Sequence, residues 1–258
     1  MLLILKLTLV PMLVLGVTLA TRRWGPRIGG LLAGWPIVTG PALFFFAVEQ
    51  GDAFAAEASR AVIVSLVGVA ASVLTYAWAA TRAPWWISLP VSWACFVATA
   101  LLVQRVPLSA TAALVAALAS FLLAAVLLPR AGAHAVAQRP AWDLPVRVIA
   151  SMALVVTVTA LADRLGPTLS GVLTPFPIAT SIFLGFSHAQ QGSSAAITFL
   201  RGFMPGMWSF AAFCYVLSVS IVPFGTSMGF ALALVSVLPI QAAVLWWMQR
   251  SSAARGLL

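Results

Sequence analysis

Charged side chains are scarce in this chain: Asp, Glu, Lys and Arg together make 7% of its 258 residues, and only 5 of them are acidic. A soluble domain carries about 25% charged residues, so the scarcity excludes an ordinary water-soluble globular enzyme. There are 2 histidines and 2 cysteines. His134 and His188 cannot build a metal site on their own. Cys95 and Cys214 each lie inside an apolar run, which argues against a disulfide framework and makes them small buried hydrophobes. No Gly-rich phosphate loop followed by Lys occurs, and no Ser/His/Asp set lies in plausible reach. The sequence reads as a non-enzyme without metal or cofactor.

What is plentiful is apolar. Hydrophobic residues make 62% of the chain and the mean hydropathy is +1.08, so most of its surface must lie in lipid. A transmembrane helix needs about 20 mostly apolar residues. The sequence supplies nine such runs, at 2–20, 25–48, 61–80, 84–103, 107–129, 145–162, 166–187, 202–222 and 225–248. They predict an all-α polytopic membrane protein. The first run could be mistaken for a signal peptide. Its flanking charges, Arg22 and Arg23, follow it and no small-residue cleavage site ends it cleanly, so it is read as a helix.

The 14 basic residues against 5 acidic ones give a net charge of +9. In a soluble protein that surplus would suggest nucleic acid. Beside membrane helices it marks cytoplasmic loops, and no nucleic-acid partner is expected. With the N-terminus outside and the C-terminus inside, Arg22, Arg23, Arg27, Arg82, Arg130, Arg139, Arg147, Arg201, Arg250 and Arg255 fall on the inner side. Lys6, Arg60, Arg105 and Arg164 then lie outside, with Glu49, Asp52, Glu57 and Asp163.

Self-comparison gives the strongest signal. A shift of 141 residues lays GPRIGGLLAGWPIVTGPALFFFAVEQG over GPTLSGVLTPFPIATSIFLGFSHAQQG without a gap, and from Gly25 to Arg60 against Gly166 to Arg201 13 of 36 positions are identical. The matches include Gly, Pro, Thr, Gln and Arg, which apolar composition alone does not align. The second and seventh runs correspond, five helices apart. Five is odd, so the second copy enters the membrane upside down, the footprint of inverted-topology repeats in secondary transporters. The division is 1–129 as a repeat of five helices, 130–144 as a cytoplasmic linker, and 145–258 as an inverted repeat of four, lacking a counterpart of helix 5.

Each matched segment is interrupted halfway, at Gly34-Trp35-Pro36 and at Pro175-Phe176-Pro177. A proline there removes an intrahelical hydrogen bond, and free backbone groups at membrane depth survive only where protein or a wet cavity satisfies them. Helices 2 and 7 are therefore expected to be broken. Half-helices starting from Pro36 and Pro177 would present unpaired N–H groups and partial positive charge toward each other. Thr39 and Thr180 fall in their first turns, with Ser181 and Thr174 nearby, a constellation suited to an anionic or carbonyl-bearing substrate group. The alternative is that the prolines only kink continuous helices and the threonines bond back one turn.

Symmetry fails where protonatable groups appear: Glu49 pairs with Gln190 and His188 with Ala47. Glu49 and His188 are candidates for proton coupling or gating, against a plain interfacial role. Gln50, Gln191, Arg60 and Arg201 recur in both copies. Each arginine is expected to begin the next helix, guiding an anion or snorkelling at the interface. Gly29, Gly30, Gly34 and Gly171 suit close helix contact. Trp85, Trp86, Trp93, Trp246 and Trp247 suit an interfacial belt.

Residues from Phe176-Pro177 through Arg201 to Met207-Trp208-Ser209 and Tyr215 resemble the small GlpM-type inner-membrane proteins, over about a quarter of the chain. That resemblance implies a bacterial inner-membrane location and no substrate. In general organisation the chain is similar to five-plus-five inverted-repeat carriers such as bile-acid/sodium symporters. The expectation is a secondary transporter of a small organic solute, anionic ones included, with a proton or sodium ion as coupling ion and a homodimer as a candidate assembly. Two other readings stand beside it. One is a flippase or carrier for a polyprenyl-phosphate or glycolipid headgroup, and the other is a non-transporting membrane subunit.

Overall fold

The computed structural model describes residues 2–132, 142–157 and 176–253. Among the described residues every regular element is a helix. They are α1 (Leu2–Trp24), α2 (Pro26–Ala33), α3 (Thr39–Gln50), α4 (Asp52–Ala80), α5 (Trp85–Val103), α6 (Ala110–Leu127), α7 over 143–157, α8 (Ile178–Gln191) and α9 (Ser193–Ala253).

Four are long and apolar enough to cross a membrane: α4, α5, α6 and the Ser193–Trp247 part of α9. The sequence pattern leads one to expect nine. Part of the difference lies in the second expected span, which is two short helices, α2 of 8 residues and α3 of 12. The eighth and ninth expected spans, in turn, run together in one 61-residue element. α9 is not straight, because Gly225 sits at φ 79, ψ 167 and breaks it.

Gly25, Gly51 and Gly192 have the same left-handed φ, at 88°, 90° and 83°, and each joins two helices. Such a backbone is open to glycine and strained for other residues. These turns correct two expected boundaries. The spans expected at 61–80 and 202–222 begin earlier, at Asp52 and Ser193, because the chain reverses at Gly51 and Gly192 and not at the next charge. Arg60 and Arg201 consequently do not begin helices but lie about two turns inside α4 and α9.

The core forms around α4 and the first part of α9. Tyr76, Phe96, Phe121, Phe183, Phe199 and Phe213 are buried there, and Phe183 of α8 stacks on Phe199 of α9 with ring centroids 5.2 Å apart. α2 lies against α9 through two facing glycine pairs four residues apart, Gly30 and Gly34 on one helix, Gly202 and Gly206 on the other. A Cβ on Gly30 would overlap the Phe199 carbonyl, and one on Gly202 the Arg27 carbonyl. Small residues at such spacing let helix backbones approach closely. The outward faces are apolar, with Val126 72% and Leu238 65% exposed, the surface expected of helices that face lipid rather than water.

Candidate functional site

The two expected breaks have the same local geometry where both are described. At the first, Ile37 N–H donates to the Trp35 carbonyl at 2.9 Å and Gly40 N–H to the Pro36 carbonyl at 2.8 Å. At the second, Ile178 N–H donates to Phe176 at 2.8 Å and Ser181 N–H to Pro177 at 2.9 Å. Each bond has its counterpart 141 residues on. Pro177 has φ −77, ψ 61, the centre of an inverse γ-turn. α2 stops at Ala33 and α3 starts at Thr39, so Pro36 interrupts the helix rather than kinking it. The chain before Phe176, with Thr174, lies outside the described residues.

One cavity of about 110 Å³ lies between the breaks. Its wall is built from residues 141 positions apart: Trp35 with Phe176, Val38 with Ala179, Thr39 with Thr180, Leu66 with Met207, and Val69 with Phe210. Pro177 also lines it, whereas Pro36 faces a wider apolar groove beside α3, of about 720 Å³. Trp35 lines both spaces.

The hydroxyls at this cavity differ from most others among the described residues and share their lack of a partner with Thr18 and Ser220. Ser59, Ser65, Thr21 and Ser181 each donate to the carbonyl four residues earlier, as polar residues in apolar helices commonly do. Thr39 and Thr180 make no such bond among the described residues, and Thr180 is only 6% exposed. The backbone N–H groups of Val38, Thr39, Ala179 and Thr180 belong to helix first turns, where no preceding carbonyl is in register. The Trp35 indole N–H is buried without a partner among the described residues. The arrangement offers donors from two helix starts to one small space.

Ser181 stands apart from the cavity. Its hydroxyl accepts from Trp93 Nε1 at 2.9 Å and donates to the Pro177 carbonyl at 2.8 Å, so Trp93 is tied to the second break. The remaining expected residues do not line the cavity. Glu49 and Gln50 are exposed at the end of α3, and Gln191 ends α8. His188 has Nδ1 3.2 Å from the Tyr76 hydroxyl, which also donates to the Leu184 carbonyl at 3.1 Å. Arg60 Nη1 donates to the Leu108 carbonyl at 2.7 Å and also pairs with Glu57. Arg201 Nη2 donates to the carbonyls of Leu128 and Pro129 at 2.9 Å.

A second polar group, not expected from the sequence, ties α1, α7 and α8 together. Asp143 accepts from Arg22 Nη2 at 2.6 Å, Arg147 Nε at 2.8 Å and Gln190 Nε2 at 2.6 Å. Asp143 and Arg147 are 2% and 4% exposed, which corrects the expectation that Arg147 is a loop charge. Burial alone would push the Asp143 carboxyl up, but the bonds from Gln190, Arg147 and Arg22 outweigh it and hold it below its ordinary value. The signal available in the sequence was the swap of Glu49 for Gln190, which gives the network a neutral donor in place of a second acid. Among the described residues no cluster of His, Cys, Asp or Glu could hold a metal ion. No family model, curated protein or solved structure matches this chain.

Proposed function

We propose that the protein is a secondary transporter built from two inverted repeats in a bacterial inner membrane, moving a small anionic organic solute by alternating access around the cavity between the two broken helices. The observation that carries this reading is the cavity wall itself. Residues 141 apart line it together, Thr39 and Thr180 among them, the placement expected when a pseudo-two-fold axis passes through a substrate site. Helix N-termini meeting at membrane depth favour an anion. The flippase reading calls for a polar groove open sideways to lipid, but the wide groove beside Pro36 is lined by apolar residues such as Phe44, Phe230 and Leu238. The donors lie instead in the smaller space.

The test is side-specific labelling. In a Cys95→Ala/Cys214→Ala background, Val38→Cys and Ala179→Cys in intact cells and inverted vesicles are expected to react with a membrane-impermeant maleimide from both sides. The two reactivities should shift in opposite directions as the solute is added. Access from one side only, in every condition, would mean a static cavity and end the transporter proposal.

A further inference from the structure

The wall of the central cavity carries, among the described residues, no Asp, Glu, Lys, Arg or His. Two helix starts bring donors to it, beside the C-terminal end of α2 at Ala33. α3 and α8, helices of 12 and 14 residues, begin at it with the partial positive charge of helix N-termini. Thr180, 6% exposed, puts a hydroxyl unpartnered among the described residues on the same wall, which the half-buried Trp35 also lines. The rest is apolar or aromatic: Leu13, Leu66, Phe176, Phe203, Met207 and Phe210.

This chemistry discriminates sharply among anions and polar solutes. An ammonium group would meet two positive helix ends against one helix C-terminus, that of α2, and no carboxylate among the described residues, so amines and zwitterionic amino acids are disfavoured. A sugar carries several O–H donors, and the wall offers them no carboxylate or amide side chain. A dicarboxylate would bury its second charge against an apolar wall, which is costly without a partner. A single carboxylate on an apolar body leaves neither the donors nor the wall unmatched.

Resting on the transporter reading above, we infer that the solute is a small monocarboxylate with an apolar body, its oxygens shared between the starts of α3 and α8 and its body against the aromatic wall. The charge is held by neutral donors, with no cationic side chain among the described residues of the wall.

The experiment uses the purified full chain at pH 7, titrated calorimetrically with benzoate, benzamide and phenylalanine. Benzoate is expected to bind, with benzamide and phenylalanine weaker by about tenfold or more. Thr180→Val should weaken benzoate about five- to tenfold, the loss of one buried hydrogen bond, with an unchanged unfolding temperature, and Thr180→Ser should restore it. Benzamide or phenylalanine binding as tightly as benzoate, with the Thr180→Val effect intact, overturns the monocarboxylate and leaves the transport site standing. Absence of benzoate binding, in folded protein whose residue 38 is labelled from both sides, overturns it in the same way. Benzoate binding that neither Thr180→Val nor Thr39→Val alters overturns both the solute class and the site.

Discussion

Arg60 and Arg201, 141 positions apart, hold opposite ends of the same helix. Arg60 donates to the Leu108 carbonyl just ahead of α6, and Arg201 to the carbonyls of Leu128 and Pro129 just beyond it. α6 has 18 residues, about 27 Å at 1.5 Å per residue. Two arginines at equivalent places in two similar segments therefore hold contacts about 27 Å apart along α6. α4 and α9 start from opposite ends of α6, the relation that the proposed inverted repeat requires. One helix, α6, thus serves as the strut for both arginines.

These contacts predict unequal stability effects. The Arg201 guanidinium satisfies carbonyls at the C-terminal end of α6, where a cation also opposes the helix dipole favourably. Arg201→Met leaves part-buried carbonyls unpaired and should cost about 1–3 kcal/mol. Arg60 is shared with the exposed Glu57, so Arg60→Met should cost less. Neither residue lines the cavity, and solute affinity of the folded protein should be unchanged. Thermal unfolding and binding measured on the same preparations check this, and a loss of affinity in either variant would return these arginines to a coupling or gating role.

The glycine contact between α2 and α9 predicts a change of sign between two similar substitutions. Gly202→Ala places a methyl into the Arg27 carbonyl, and overpacking of this kind costs about 1–3 kcal/mol. Gly16→Ala meets nothing within 4 Å, so the better helix propensity of Ala should leave stability equal or higher by up to about 1 kcal/mol. Equal effects in thermal unfolding would mean that α2 is not seated on α9 through these glycines.

Much of this was legible in the sequence because the repeat preserved the residues that set backbone geometry. Pro36 and Pro177 fix the breaks, Gly51 and Gly192 the reversals, and Thr39 and Thr180 follow the prolines at the same distance. Helix starts were misplaced because a polar residue such as Arg60 reads as a boundary, whereas the real one is a glycine whose role depends on φ. Trp93 looked interfacial because its hydrogen-bond partner, Ser181, is 88 residues away. The Asp143 network was hidden for the same reason. Arg22, Asp143 and Gln190 share no local pattern, and their meeting depends on how α1, α7 and α8 pack.

That network predicts a specific pH response. Asp143 is held below its ordinary value in the folded protein, so its ionised form stabilises the fold at any pH above the ordinary Asp value of about 3.9. The contribution is lost as pH falls through the lower folded value. Asp143→Asn removes the charge and leaves Arg147 buried without its anion. Truncating one partner of a buried pair costs about 3–5 kcal/mol, and the retained amide oxygen should bring the loss toward the low end. Unfolding followed from pH 7 to pH 3 is expected to show the wild-type and variant curves converging as the pH falls. A gap that stays constant over that range would mean that Asp143 acts through packing alone.

The last prediction turns on a difference between the two breaks. The two described backbone bonds of each break match, yet among the described residues only the second is held from outside, by the chain of bonds from Trp93 Nε1 to Ser181 Oγ and on to the Pro177 carbonyl. The equivalent positions at the first break are Leu234, Gly40 and Pro36, and neither leucine nor glycine can make those bonds. The Pro177 turn is thus tied to α5 while the Pro36 turn is free of any such tie, with the apolar groove on its flank. Each bond is worth about 0.5–1.5 kcal/mol, so amide exchange at 178–181 should be slower than at 37–40 by up to about tenfold per bond. Trp93→Phe keeps the aromatic contact with Phe176 and removes only the donor. It is expected to speed exchange at 178–181 and leave 37–40 unchanged. Hydrogen exchange with peptide-level mass spectrometry reads both segments in one experiment. Equal exchange at the two breaks in the wild-type protein, or no response to Trp93→Phe, would show that the tie does not stiffen the second break.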